Sequence, residues 1–204
     1  MAPRKSWKEM TEPVSLEEYA GEAPMPTPRP TLQTDDWVQL PQNPEKGEAG
    51  SGYFTYGRMP KAMPGTKADF QHGEPHTMRV IGAVVNSLAK GNEYTPVGIG
   101  NISLAGGRRS KDHRGHVNGL EIDLRPARND GREGPNDGLT YRDAAYDRAA
   151  TRRLIKAFQD TGQAEYILFN DPELIDDPEL KGFVRRSTTD HDNHLHVRVK
   201  PGSD

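Results

Sequence analysis

One run of ten residues, Asp190-His191-Asp192-Asn193-His194-Leu195-His196-Val197-Arg198-Val199, limits the possible folds more than any other stretch. After Asn193 it alternates as a half-buried strand does, so Leu195, Val197 and Val199 point one way and His194, His196 and Arg198 the other. Two imidazoles therefore stand about 7 Å apart on one face of a strand. Burying the opposite face does not require histidine here, so the histidines call for a chemical reason.

A second stretch has the same character. Leu120, Ile122 and Leu124 share one face and leave Glu121 and Asp123 on the other, and a basic loop, Gly106 to His116, leads into it. Five of the seven histidines fall in the two groups His113/His116 and His191/His194/His196. The separation from His116 to Asp123 is odd, so one straight strand cannot place both on one face, and Gly119 supplies the expected bend. If the two strands are neighbours in one sheet, Asp123 projects beside His194 and His196.

Composition narrows the chemistry. There is no cysteine, which excludes disulfides, thiolate metal sites and cysteine nucleophiles. Any metal must use His, Asp or Glu. A His, Asp, His set with a position left for water suits catalytic zinc, whereas structural zinc sites are usually closed and thiolate-rich. The facial triad of non-haem iron has a different spacing. On spacing alone, His194 and His196 could both bind the ion, or one could bind while the other carries a proton. The net charge of -3 gives no bulk attraction to nucleic acid or anionic membrane. No window is long and apolar enough for a membrane span.

Residues 1–50 hold eight of the 17 prolines, four of them alternating from Pro24 to Pro30. They read as a Pro-rich arm or linker, partly disordered or docked, in which Trp7 to Tyr19 and Asp36 to Leu40 could lie on the body. The remaining residues, 51–204, read as one domain. In it a short strand is expected at Tyr53 to Tyr56, followed by a helix from about His76 to Lys90 that presents Met78, Ile81, Val84, Val85 and Leu88, with Gly91 as its stop. Pro96 to Leu104 reads as a buried strand. Its Val97-Gly98-Ile99-Gly100 start lacks the later glycine and the helix of a dinucleotide loop. Asp143 is the expected cap of a second helix with Tyr146, Ala150, Leu154, Ala157 and Phe158 inward and Gly162 at its end. Tyr166 to Phe169 reads as a strand, and the acidic stretch Asp171 to Glu179 as a solvated loop. The fold class is α+β, with a central antiparallel β-sheet and flanking helices.

His113-x2-His116-x2-Gly119-x3-Asp123, followed by His191-x2-His194-x-His196, resembles the penicillin-insensitive murein endopeptidases. These belong to the wider lysostaphin, D-Ala-D-Ala carboxypeptidase and hedgehog (LAS) type of zinc enzymes. The resemblance spans roughly residues 95–200. It implies one zinc ion per chain on His116, Asp123 and His196, with His194 as general base and His113 and His191 as accessory groups. Glu121 stands where those enzymes often carry another acidic residue. Arg108, Arg109 or Arg114 would be available to hold a substrate carboxylate.

The implied activity is zinc-dependent cleavage of peptidoglycan cross-links, at the D-alanyl to meso-diaminopimelyl bond. Peptidoglycan is the implied partner. No Sec signal is legible, so the expectation is synthesis in the cytoplasm and action in the periplasm or cell wall. Non-Sec export, delivery into a target cell by a secretion apparatus, or phage lysis would take it there. For a delivered toxin, an immunity protein is an expected partner. Alternatives are a LAS-type D,D- or L,D-carboxypeptidase and a zinc-containing wall-binding module. His113-Arg114-Gly115-His116 also resembles the loop of metal-dependent nucleases, although nucleic acid is not the expected partner.

Overall fold

The computed structural model describes residues 36–41, 52–55, 70–90, 96–107, 115–130 and 138–202. The sequence places alternating strands and two amphipathic helices here, and they assemble as one layer of each. Six strands form the main sheet: β2 (Tyr53–Thr55), β4 (Val97–Ile99), β5 (Glu121–Leu124), β8 (Leu195–Val199), β6 (Ala164–Leu168) and β7 (Val184–Arg185), in that spatial order. The four inner strands are antiparallel, as expected, but both edge strands, β2 and β7, add in parallel. The sheet is therefore mixed. β7 is two residues long, too short for its alternation to stand out in the sequence.

Helices α1 (Pro75–Ala89) and α2 (Arg148–Asp160) pack together. Their apolar sides share one core with Ile122, Leu124, Leu195, Val197 and Val199 of the sheet. That leaves Glu121, Asp123, His194, His196 and Arg198 on the sheet's other face, as the alternation requires. Proline at the start of α1 loses nothing, since that N–H has no intrahelical partner.

Other expectations change as well. The cap of α2 is Asp147, whose side chain accepts from the Ala150 N–H, a bond worth about 1 kcal/mol. Asp143 instead accepts from the N–H and hydroxyl of Thr140 and closes a turn. Tyr146 is buried but precedes the helix. The acidic stretch is not simply solvated, because Asp171 is fully buried and caps a short helix, α3 (Pro172–Ile175). Finally, the buried stretch after Pro96 stops being regular strand at Ile99.

Asp36 to Leu40 does dock: β1 (Val38–Gln39) pairs antiparallel with β3 (His72–Gly73), and Leu40 enters the core. The stretch from Trp7 to Tyr19, Gly91, and the loop residues Arg108, Arg109, His113 and Arg114 lie outside the described residues. No helix among the described residues is long and apolar enough to cross a membrane.

Candidate metal centre

The register of β5 against β8 puts Asp123 directly opposite His196. On the other side of β5, the Gly100 N–H donates to the Asp123 carbonyl and the Asp123 N–H donates to the Asn101 carbonyl. Both backbone groups of Asp123 on that side are thus held by the two residues that follow β4. Asp123 is 5% exposed.

His116 reaches the same point by a turn. Gly119 has φ 68°, and a Cβ there would lie 2.8 Å from the Glu74 nitrogen and 3.0 Å from the Trp37 ring. The hydroxyl of Thr77 donates to its carbonyl at 2.7 Å, so the start of α1 pins the bend. His116 itself has φ 56°, a conformation that costs a non-glycine residue about 1–3 kcal/mol and needs surrounding support. Its backbone N–H donates to the Glu121 carboxylate. Its ring Nδ1 faces the Ile102 carbonyl at 2.7 Å, and a carbonyl can only accept. Nδ1 therefore carries the hydrogen, and Nε2 is the atom available to a ligand.

Nε2 of His116 lies 3.1 Å from Asp123 Oδ1, and Nδ1 of His196 lies 3.2 Å from that same oxygen. The two imidazoles meet edge to face, 4.8 Å between centroids. Among the described residues, His116, Asp123 and His196 form a set of three ligand atoms, all within 4.8 Å of one another. This set can coordinate a metal ion. The donor chemistry fits a divalent cation: two neutral nitrogens and one carboxylate oxygen, with fewer protein ligands than a closed tetrahedral site takes.

The electrostatics agree. Burial alone would raise the Asp123 pKa, but the charge and hydrogen bond of His116, with a hydrogen bond from His196, hold it well below the usual carboxylate range. Burial alone would lower the His116 pKa, yet Asp123 and the Ile102 carbonyl together raise it. A proton on His116 would compete with a metal for the same nitrogen.

The other two C-terminal histidines stand beside the triad. The His191 ring is 4.7 Å from that of His194 and 5.7 Å from that of His196. His194 Nδ1 donates to the side-chain oxygen of Asn193 at 2.8 Å, which leaves Nε2 as an acceptor. Burial lowers its pKa to about 4, so it is neutral at pH 7. Burial lowers the His191 pKa as well.

Several positioning groups escaped the sequence reading. Arg125, on the same face of β5 as Asp123, donates from Nη1 to the Asn193 carbonyl at 3.0 Å. Asp192 is clamped by Arg142 at 2.6 Å and Asn170 at 2.8 Å, while the Asn170 N–H holds the His191 carbonyl. Alternation, which singled out Glu121, could also have flagged Arg125, two residues beyond Asp123. Nothing in the sequence signals Arg142 or Asn170, which reach the site from distant segments. No protein-family model and no curated protein matches this chain.

Proposed function

We propose that this chain is a zinc-dependent hydrolase of peptide cross-links in peptidoglycan, cleaving the D-alanyl to meso-diaminopimelyl bond. The observation that carries the reading is the His116, Asp123, His196 set with two further imidazoles against it on the polar face of the sheet. Three purely structural ligands would need no such neighbours. The motif likeness to murein endopeptidases supplies the substrate class.

When bound, zinc would supply Lewis-acid polarisation of a scissile carbonyl and would acidify a water. The chain's own residues do the rest. His194, neutral and with Nε2 as acceptor, takes a proton from the attacking water and returns it to the leaving amine. His191, its ring tilted 34° against that of His194 and its Nδ1 held by the Thr189 carbonyl, orients that ring. Arg125 and Asn193 hold the segment that presents His194. The protein would act at the cell wall.

Digestion of purified sacculi by the zinc-loaded protein, followed by mass spectrometry of the muropeptides, tests this. Cross-linked dimers should disappear with wild type and persist with His194→Ala. Trimmed stem peptides with intact dimers would make it a carboxypeptidase instead. No change in any muropeptide would overturn the reading.

A further inference from the structure

The face of β5 that carries Asp123 also carries Glu121, two residues earlier and about 7 Å away along the strand. Glu121 is 9% exposed, and both its oxygens are engaged. Oε2 accepts the backbone N–H of His116. Oε1 accepts from Arg198 Nη1 at 2.5 Å, and Arg198 stands opposite Glu121 in the β5–β8 ladder. The chain before His116 is shaped around this carboxylate, since a Cβ on Gly115 would lie 3.0 Å from Oε2.

His116 is the residue with a reason to need such a brace. Among the described residues it is the one non-glycine with positive φ, and its ring must point at Asp123 while its backbone folds back over β5. The Ile102 carbonyl fixes the far side of the ring. The Glu121 carboxylate fixes the main chain. Two attachments, one on the ring and one on the backbone, leave the imidazole little freedom to turn from Asp123.

We propose that Glu121, braced by Arg198, is a positioning residue of the metal centre: its carboxylate holds the His116 backbone in the left-handed turn that aims Nε2 at Asp123. This rests on the reading that His116, Asp123 and His196 hold zinc. The Oε2 acceptor offsets the strain of the turn, and its loss lets the backbone relax and carries the ligand nitrogen away. Outer partners of metal ligands act in this way, and removing one typically weakens metal binding about 10–100-fold.

The test is the zinc dissociation constant of the full chain, by chelator competition, well below the unfolding temperature of the metal-free protein. Glu121→Ala should bind zinc about 10–100-fold more weakly, and Glu121→Gln, which keeps an oxygen for the His116 N–H, should lie between it and wild type. Asp177→Asn is the control, because it breaks the Arg152 pair far from the centre. It should lower stability and leave zinc affinity unchanged, which separates positioning from a general loss of folding. Glu121→Ala binding within about threefold of wild type, against the loss expected of an outer partner, overturns the proposal. If that variant is unfolded at the assay temperature, Arg198→Met decides: weaker binding supports the proposal and unchanged binding overturns it. A wild type that takes up no zinc defeats the metal reading itself, and the proposal with it.

Discussion

Among the described residues two aspartates are buried, and their partners differ in kind. Asp171, fully buried, accepts from the Tyr146 hydroxyl and from Arg148 Nε, each at 2.8 Å, and from the Glu173 N–H at 3.1 Å. Every one of those donors keeps its hydrogen at neutral pH, so the site is closed. Asp123 is faced by two imidazoles on a single oxygen. Imidazoles give up protons near neutrality, and the same three atoms can then turn to a cation. The first carboxylate ties α2, α3 and the end of β6 together; the second belongs to a set that can coordinate a cation. What separates them is the protonation chemistry of the partners rather than depth of burial.

The largest effect expected from this contrast is on metal binding. Asp123→Asn should lose more zinc affinity than the roughly 10–100-fold typical of an outer partner, in a calorimetric titration where Asp171→Asn binds as wild type does. Equal affinities in the two variants would erase the distinction. Stability should sort them the other way. Removing one partner of a buried, bonded charge is strongly destabilising, so Asp171→Ala should lose about 3 kcal/mol in urea unfolding. Zinc at 100 times its dissociation constant should return about 2.7 kcal/mol to that variant, and none to Asp123→Asn.

Acidity sharpens the same comparison. Burial keeps the pKa of His194 and of His76 near about 4 in the folded, metal-free chain. Below pH 6.5 the unfolded chain takes up protons that the folded chain refuses, so stability falls from pH 6.5 toward 4. His116 works in the opposite sense. Its raised pKa gives stability that is complete below pH 6.5 and is lost as pH rises through the folded value. Metal-free stability should therefore peak near pH 6.5, and zinc should abolish the alkaline decline by replacing the proton on His116. Urea titrations from pH 4 to 9, with and without zinc, measure both limbs. A metal-free stability that climbs above pH 6.5 would contradict the assignment. The smallest effect belongs to an exposed pair, Lys156 with Asp160 one helical turn on. Lys156→Ala should cost no more than about 0.5 kcal/mol and leave zinc binding untouched.

Much of the centre was legible because strand alternation is strict. The polar face of β5 and β8, and the bend at Gly119, follow from period-two patterning and one glycine. The structure then supplied what local pattern does not encode: the register that sets Asp123 against His196, and the left-handed backbone of His116 with its Glu121 brace. Asp171 was misread because an acidic, proline-interrupted stretch looks solvated until Tyr146 and Arg148, more than twenty residues away, fold onto it. Asp143 and Asp147 are equally good caps in composition. The helix starts at the later one because Tyr146 is drawn into a bridge with Arg128.

The most direct test of the central claim is zinc content per chain after exhaustive dialysis, for wild type beside His196→Ala. One zinc per wild-type chain and none in the folded variant is the expected result. A folded His196→Ala that keeps its full zinc would show that the ion, if any, is held elsewhere.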